Sequence, residues 1–402
     1  MVSDNRIHVG VDATTWSNDR GFGRFTREFI TALAARESEF RYTLVFDQPP
    51  DPTWPIPENV GVLTAATTKG LNESAVGDSK RSISYLWDMS RLVAKANFDM
   101  FYFPAVYSYF PLFTRIPIVT CFHDTTAERI PHLLFPKKIN HRLWQIKTWL
   151  AIKQMTRAMT VSEMSAQDME SYLKIPRDRI DLVTEAADPV FRPGTSADAA
   201  LKARQAQNIP EYAELITYVG GMNAHKNILS LLKAMPRLIT ERPKLHLAIV
   251  GSTSGKGFWD NVPELQAFVK GNPPLATHVH FTGYLSDADL VKLFASTDAL
   301  VFPSLWEGFG LPAVEAMSCG VPVLASNLSS LPEVIGDAGL FFDPTSIEDI
   351  GDTVVRFFSD KALRAQVTAA ALPRAAQFTW ERAAEMGEDS FRKTMASRAR
   401  KR

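Results

Sequence analysis

Phe302-Pro-Ser-Leu-Trp-Glu307-Gly308-Phe309-Gly310-Leu311-Pro-Ala-Val-Glu315-Ala-Met-Ser-Cys-Gly320-Val-Pro is the stretch on which the reading of this 402-residue chain turns. The apolar run Asp298-Ala-Leu-Val-Phe302 before it reads as a buried strand that stops at Pro303. Gly308, Gly310 and Pro312 then build a loop, and Ala313 to Ser318 read as the first turns of a helix. Glu307 is thereby expected at the C-terminal mouth of a parallel strand, and Glu315 one or two turns into the next helix. Open α/β sheets bind ligands at that mouth, where loop N–H groups and the positive end of the helix converge. Two carboxylates flanking such a helix start suit a ligand with phosphate at its middle and hydroxyls at both ends, the shape of a nucleotide sugar.

The pattern continues through Ala325-Ser-Asn-Leu-Ser-Ser-Leu-Pro-Glu333-Val to Asp337-Ala-Gly-Leu-Phe-Phe-Asp343-Pro. Two glutamates separated by seven residues inside F-P-S-x-x-E-G-F-G-L-P-x-x-E-A-M-x-x-G-x-P-V resemble the signature of the retaining glycosyltransferases of family 4. The resemblance implies the GT-B fold: two Rossmann-like domains facing a cleft, with a C-terminal helix returning to the first domain.

The rest of the chain reads independently as α/β. Short apolar runs alternate with helix-period segments, which predicts parallel sheets with crossover helices. Strands are expected at Ile7–Asp12, Tyr42–Phe46, Met100–Phe103, Ile118–Phe122, Ala158–Val161 and Ile180–Val183. A second set is expected at Leu215–Val219, Leu245–Val250, Val279–Thr282, Ala299–Phe302, Val323–Ala325 and Leu340–Phe342. Helices are read at Phe25–Ala35 and Ile139–Gln154, with closing helices over Glu348–Phe378. The Pro/Gly/Ser-rich stretch Asp188-Pro-Val-Phe-Arg-Pro193-Gly-Thr-Ser-Ala-Asp reads as a linker. The domains are therefore expected at 1–190, rejoined by 379–402, and at 191–378. Segment 64–81 reads as a mobile loop.

Composition narrows the class. A hydrophobic fraction of 46% and a charged fraction of 22% are those of a globular protein too long for one core. Equal numbers of acidic and basic residues, 44 each, give no global field for nucleic acid. Cys121 and Cys319 indicate no disulfide framework. No apolar leader or run of ~18 apolar residues is evident, so the expectation is a cytoplasmic protein that can work at the inner face of the membrane.

Moving a glycosyl group requires holding the diphosphate charge, orienting the sugar and relieving the acceptor hydroxyl of its proton. Strand Leu215–Val219 ends in Gly220-Gly221-Met-Asn-Ala-His225-Lys226-Asn227 before a helix. Lys226 is well placed to pair with a phosphate, and the resemblance assigns it that role in place of a metal. Family members often carry an arginine where this chain has Gly221; His225 is a candidate to compensate. The resemblance puts His123 near the donor sugar and reacting centre, with Asp124 orienting the ring or the acceptor. It places Glu307 on the hydroxyls of the transferred sugar and Glu315 on the ribose. The N–H groups of the Gly308 to Leu311 loop, at Phe309, Gly310 and Leu311, would stabilise developing charge. Gly21 and Gly23, after the first strand, read as a loop where backbone approaches the diphosphate or acceptor, or as a turn that needs glycine; Arg24 would support phosphate there.

Other signals are weaker. Asp287-Ala-Asp289 mimics a metal-binding D-x-D, but Ser286 ahead of it reads as a helix cap with acids at the positive end. Gly251-Ser-Thr-Ser-Gly-Lys256-Gly falls one residue short of a P-loop. The histidines show no metal-ligand spacing. Residues 129–162 carry seven Lys/Arg and no acid, with Trp144, Ile146 and Trp149 interleaved, so 137–157 is a candidate membrane contact or else a solvated basic face.

Together these point to a metal-independent, retaining glycosyltransferase. It would move a hexose from a nucleotide-diphosphate sugar to a glycan or lipid-linked acceptor in bacterial surface polysaccharide or glycolipid synthesis. Resemblance at Gly21-Phe-Gly-Arg-Phe-Thr and His123-Asp124 leans to the mannosyltransferase-like branch, so GDP-mannose is the first donor and a UDP-sugar the second. A nucleotide-sugar epimerase of the same fold and a non-catalytic two-lobed ligand-binding protein are the alternatives.

Overall fold

The computed structural model describes residues 5–18, 21–65, 83–135, 137–253 and 261–399. Of the loop expected over 64–81, Thr64 instead ends a strand and residues 66–81 lie outside the described residues, as do the P-loop-like residues from 254 onward. The chain divides into two compact units: Met1–Glu185 with Trp380–Arg402, and Ala186–Thr379.

In the first unit, Ile7–Asp12 (β1), Phe40–Phe46 (β2), Gly61–Thr64 (β3), Met100–Phe103 (β4), Ile118–Cys121 (β5), Arg157–Thr160 (β6) and Ile180–Leu182 (β7) form a parallel sheet. The order is β3-β2-β1-β4-β5-β6-β7. Central strands such as Met100-Phe-Tyr-Phe are buried on both faces, which is why they read as unbroken apolar runs. Strand β3 escapes sequence reading because it is a four-residue edge strand with little burial and no apolar run. The chain steps outward from β1 to β3 and then crosses to β4, so the β1 and β4 exits flank the switch point of this sheet.

The helix Trp380–Ala399 packs back on this unit. Trp380 meets Phe25 edge-on at 6.0 Å, and Phe391 fills the space between Phe40 and Tyr102 at 5.7 and 5.4 Å. Asp181 of β7 joins sheet and helix electrostatically. It accepts two hydrogen bonds from Arg157 (2.6 and 2.9 Å), one from Ser390 (2.7 Å) and one from Lys393 (3.0 Å). Burial pushes the Asp181 carboxyl up, but those donors outweigh it and hold the group below its ordinary range.

In the second unit, Glu214–Val219 (β8), Leu245–Val250 (β9), Val279–Gly283 (β10), Ala299–Phe302 (β11), Val323–Ser326 (β12) and Gly339–Phe342 (β13) form a parallel sheet in the order β10-β9-β8-β11-β12-β13. The same topological step recurs, and the switch point lies between β8 and β11. Helix Ile228–Glu241 covers the sheet with Leu231, Leu232, Met235 and Leu238. Among the described residues no helix is long and apolar enough to cross a membrane.

Replacing Asp181 with Ala leaves Arg157 without its carboxylate and unties the terminal helix. The expected cost is on the order of 3 kcal/mol, read as a lower urea midpoint. Because the folded group titrates below its unfolded value, the contribution is present above about pH 4 and is lost as pH falls further. An unchanged midpoint at pH 7 would refute the linkage.

Candidate active site

The switch-point loops of the second unit are stitched together by side chains. After β8 the backbone turns at Gly220, where Tyr218 Oη donates to Gly221 O at 2.6 Å. A single 3₁₀ turn, Ala224–Lys226, follows, and Asn227 adopts the left-handed conformation (φ 57°) ahead of helix Ile228–Glu241. Asn tolerates that conformation better than most residues and carries an amide that reaches outward. Its Nδ2 donates to Pro303 O (3.1 Å) and Pro344 O (2.8 Å), and its Oδ1 accepts from Ser230 Oγ (2.7 Å). Leu305 N donates to His225 O at 2.8 Å. The exits of β8, β11 and β13 are thus held by one residue and one backbone bond.

This stitching brings Lys226 to Glu307, Nζ to Oε1 at 2.6 Å, with both side chains largely buried. Sequence reading gave these residues separate duties; the structure pairs them across the switch point. Ser330 Oγ donates to Glu307 O (3.2 Å) and Phe309 O (3.0 Å), fixing the turn through Gly308, Phe309 and Gly310. Gly310 has φ 97°, and a Cβ there would lie 2.7 Å from Leu331, so glycine is required on both counts. Phe309 is buried against Phe378 at 5.3 Å. Helix Leu311–Ser318 begins at once, and Glu315 stands on its second turn, 5% exposed. Burial and then the Glu315 charge push the neighbouring Cys319 thiol up to about 12. Gly221 has a negative or extended φ, and a Cβ there would meet only Asn223 Oδ1 within 4 Å, at 2.9 Å.

In the first unit His123 and Asp124 leave β5. His123 is 7% exposed and flanked edge-on by Phe22 (5.1 Å) and Phe25 (4.6 Å). Its Nε2 donates to Pro104 O at 2.9 Å, and its Nδ1 lies 3.0 Å from Glu185 Oε1. Both ring nitrogens face acceptors, which calls for the imidazolium. Burial opposes that charge, but Cys121 and Glu185 outweigh it and raise the ring well above the ordinary histidine range. Both ring nitrogens are thus engaged within the protein, and His123 holds the exits of β4, β5 and β7 together. Asp124 Oδ1 accepts from Thr126 N at 2.8 Å and starts the helix Thr126–Arg129.

The glycines after β1 need correction. Helix Gly21–Ala34 starts earlier than the sequence suggested, so Gly21 and Gly23 are helical rather than loop residues. Gly23 is needed because a Cβ there would fall 1.9 Å from Asn18 O; it packs on its own chain. Gly21 has nothing within 4 Å of its Cβ position. Arg24 is half-buried on the same turn, while its neighbour Arg27 organises the loop by donating to Trp16 O and to Asn18 O (3.1 Å) and lying 3.7 Å over the Trp54 ring.

Sequence reading missed Asn227, Glu185 and Glu128. Asn227 had a signal, an Asn directly before a helix, and Glu185 stands just past a strand end. Glu128 had none: burial, with the Asp124 charge, outweighs its 2.7 Å bond from Trp144 Nε1 and pushes its carboxyl up to about 7. Asp289 is capped as expected, its N–H donating to Ser286 Oγ at 3.2 Å and its Oδ1 bound by Lys292 at 2.8 Å.

Each unit is thus a Rossmann-like α/β domain with polar groups gathered at its switch-point loops, and two such domains are the make-up of the GT-B fold. The model for "Glycosyltransferase Family 4" matches residues 20–190, and that for "Glycosyl transferases group 1" matches residues 200–372. An O-antigen chain mannosyltransferase B of Escherichia coli is 33% identical over 65% of this chain and 67% of its own length. The serotype-specific mannosyltransferase WbdA of the same organism is 29% identical over 64% of this chain and 31% of its own length, so the chain spans only about a third of that relative. Among solved structures, Anabaena HepE in complex with UDP and glucose superposes with a TM-score of 0.73 at 17% identity, covering 96% of this chain and 100% of that one. The chain belongs to glycosyltransferase family 4, mannosyltransferase-like, and it is a glycosyltransferase. Membership sets aside the non-catalytic ligand-binding reading.

If His123 is held as an imidazolium, nitrogen-15 spectra at pH 7.5 will show both of its ring nitrogens protonated. The charge then favours folding below about pH 6.5, and that contribution is lost as pH rises through the raised folded value. A ring that titrates near 6.5 would contradict the assignment.

Proposed function

We propose that this chain transfers a hexosyl group, mannose first among candidates, from a nucleotide-diphosphate sugar to a glycan or lipid-linked acceptor, with retention and without a metal ion. The observation that carries the reading is the Lys226–Glu307 pair across the β8/β11 switch point, beside the glycine-built start of helix Leu311–Ser318. A diphosphate arriving there competes with Glu307 for Lys226 and meets the helix start, so cation and dipole together take the charge usually assigned to a metal. Glu307, released, turns to the hydroxyls of the transferred sugar. Glu315 takes the ribose hydroxyls.

The bond between the anomeric carbon and the phosphate oxygen breaks as the acceptor oxygen bonds to the same face. The acceptor proton passes to the leaving diphosphate oxygen, and amides at Phe309, Gly310 and Leu311 stabilise the charge that develops. His123 acts as a positioning residue through the β5 loop, and Asp124 sits beside it. Synthesis of bacterial surface polysaccharide is supported by the name of the O-antigen relative, and a nucleotide donor by the UDP complex of HepE. GDP-mannose remains the first donor to try and a UDP-sugar the second.

A thermal-shift screen across nucleotide diphosphates and their sugars will raise the melting temperature for the true donor. Glu315→Ala is expected to raise donor KM about tenfold or more, while Glu307→Ala chiefly lowers kcat. Transfer that is unchanged in both variants would sink the site assignment. Turnover without an acceptor would favour the epimerase, and loss of transfer in EDTA would defeat the metal-free mechanism.

A second outcome concerns Gly221. Only the movable end of Asn223 crowds its Cβ position, so Gly221→Arg is expected to fold and to supply a further phosphate partner. Donor KM should fall several-fold with kcat nearly constant, as for uniform binding. A KM that stays the same or rises would show that phosphate does not approach this backbone.

A further inference from the structure

The turn that carries Glu307 and Phe309 is braced by the loop that follows β12. That loop is itself pinned, with Asn327 N donating to Phe342 O of β13 at 2.8 Å and Leu328 N to Ser326 Oγ at 3.1 Å. Ser330 is fully buried in it, and its one hydroxyl proton is shared between Glu307 O (3.2 Å) and Phe309 O (3.0 Å). The next residue, Leu331, is also fully buried and lies against Gly310. Peptide planarity makes the Ser330 bond directional. With Phe309 O turned to Ser330, the Gly310 N–H of the same peptide must point the opposite way.

Ser330 does this at the expense of the bond its own position offers. It is the N-cap of helix Leu331–Ile335, where a serine hydroxyl ordinarily accepts from an N–H of the first turn. Ser162, Ser196, Ser286 and Ser346 do so at their own helices. Ser330 makes no such bond and gives its hydroxyl to the two carbonyls instead. Ser329 before it adopts the left-handed conformation (φ 61°), unfavourable for a residue with a Cβ. Its buried Oγ has no hydrogen-bond partner among the described residues. Local stability forgone at two adjacent residues is expected where placement of a functional group matters more. We propose that Ser330 is a positioning residue for glycosyl transfer: through the two carbonyls it fixes the backbone that carries Glu307 and aims the Gly310 N–H. The proposal rests on the reading above, in which Glu307 holds the transferred sugar and that N–H meets the developing charge.

The test uses the full chain. Transfer to a water-soluble mannoside is measured from GDP-mannose, and from UDP-glucose where that donor is not turned over. Melting temperature and amide hydrogen exchange over residues 307–311 are followed alongside. Ser330→Ala removes only the hydroxyl oxygen; it should lower kcat about tenfold or more with donor KM within about twofold. Exchange across the turn should rise. Ser330→Cys keeps the volume but donates weakly, so it should stay as slow as Ser330→Ala while melting nearer the parent. Ser329→Gly sheds the left-handed strain and the orphan hydroxyl, and should melt about 2 °C or more above the parent. Ser330→Ala with the parent's kcat, or Ser330→Cys that restores it, would reduce the residue to packing and overturn the proposal. So would exchange over 307–311 that Ser330→Ala leaves unmoved, or a Ser329→Gly that melts lower. Glu307→Ala is run in parallel. If it leaves transfer intact, the reading of Glu307 falls; if it slows transfer and Ser330→Ala does not, the positioning role falls alone. Absence of transfer by the parent from both donors counts against the functional reading, and hydrogen exchange then decides the role of Ser330.

Discussion

Parallel sheets end in a row of strand exits whose loops have no hydrogen-bonded partner strand to fix them, and this fold depends on how those exits are held. In each unit one side chain does most of the holding. Asn227 ties the exits of β8, β11 and β13 through its amide, and His123 ties those of β4, β5 and β7 through its ring. Both clamps are polar groups removed from water, so each is stable only while all its partners are met. The same requirement fixes the loops that carry the chemistry. Placement of Lys226 beside Glu307 is a result of the Asn227 clamp and the His225–Leu305 backbone bond.

The sequence made the architecture legible because buried parallel strands are apolar runs and the glycine-rich exits punctuate them. Glu307 and Lys226 could be placed at the correct strand exits, and Glu315 on the helix that follows, because each lies soon after one of those runs. What was not legible were contacts across long sequence distances. The Lys226–Glu307 pair spans 81 residues and the His123–Glu185 pair spans 62. Nothing local to either partner announces the other. The edge strand β3 failed for the opposite reason: it has too little burial to leave a pattern.

Gly21 and Gly23 had two readings, a loop where backbone approaches a ligand or a turn that needs glycine, and the second holds at Gly23. Gly23 lets helix Gly21–Ala34 begin against the carbonyl of Asn18, a demand made by the chain's own path. Arg27 is a residue that organises this helix start, through Asn18 O and the Trp54 ring.

The pairing of Lys226 with Glu307 has a consequence for the end of the catalytic cycle. A cation held ready for a phosphate would, in an empty and half-buried site, stand without a counter-ion, and the product diphosphate would be slow to leave it. On the proposed mechanism Glu307 would act as a resident substitute that reclaims the lysine as the product departs. Lys226 and Glu307 neutralise one another, and on that mechanism a ligand would need an anion of its own to open the pair. On the same mechanism free sugars and nucleosides, which carry no anion, would leave the pair closed.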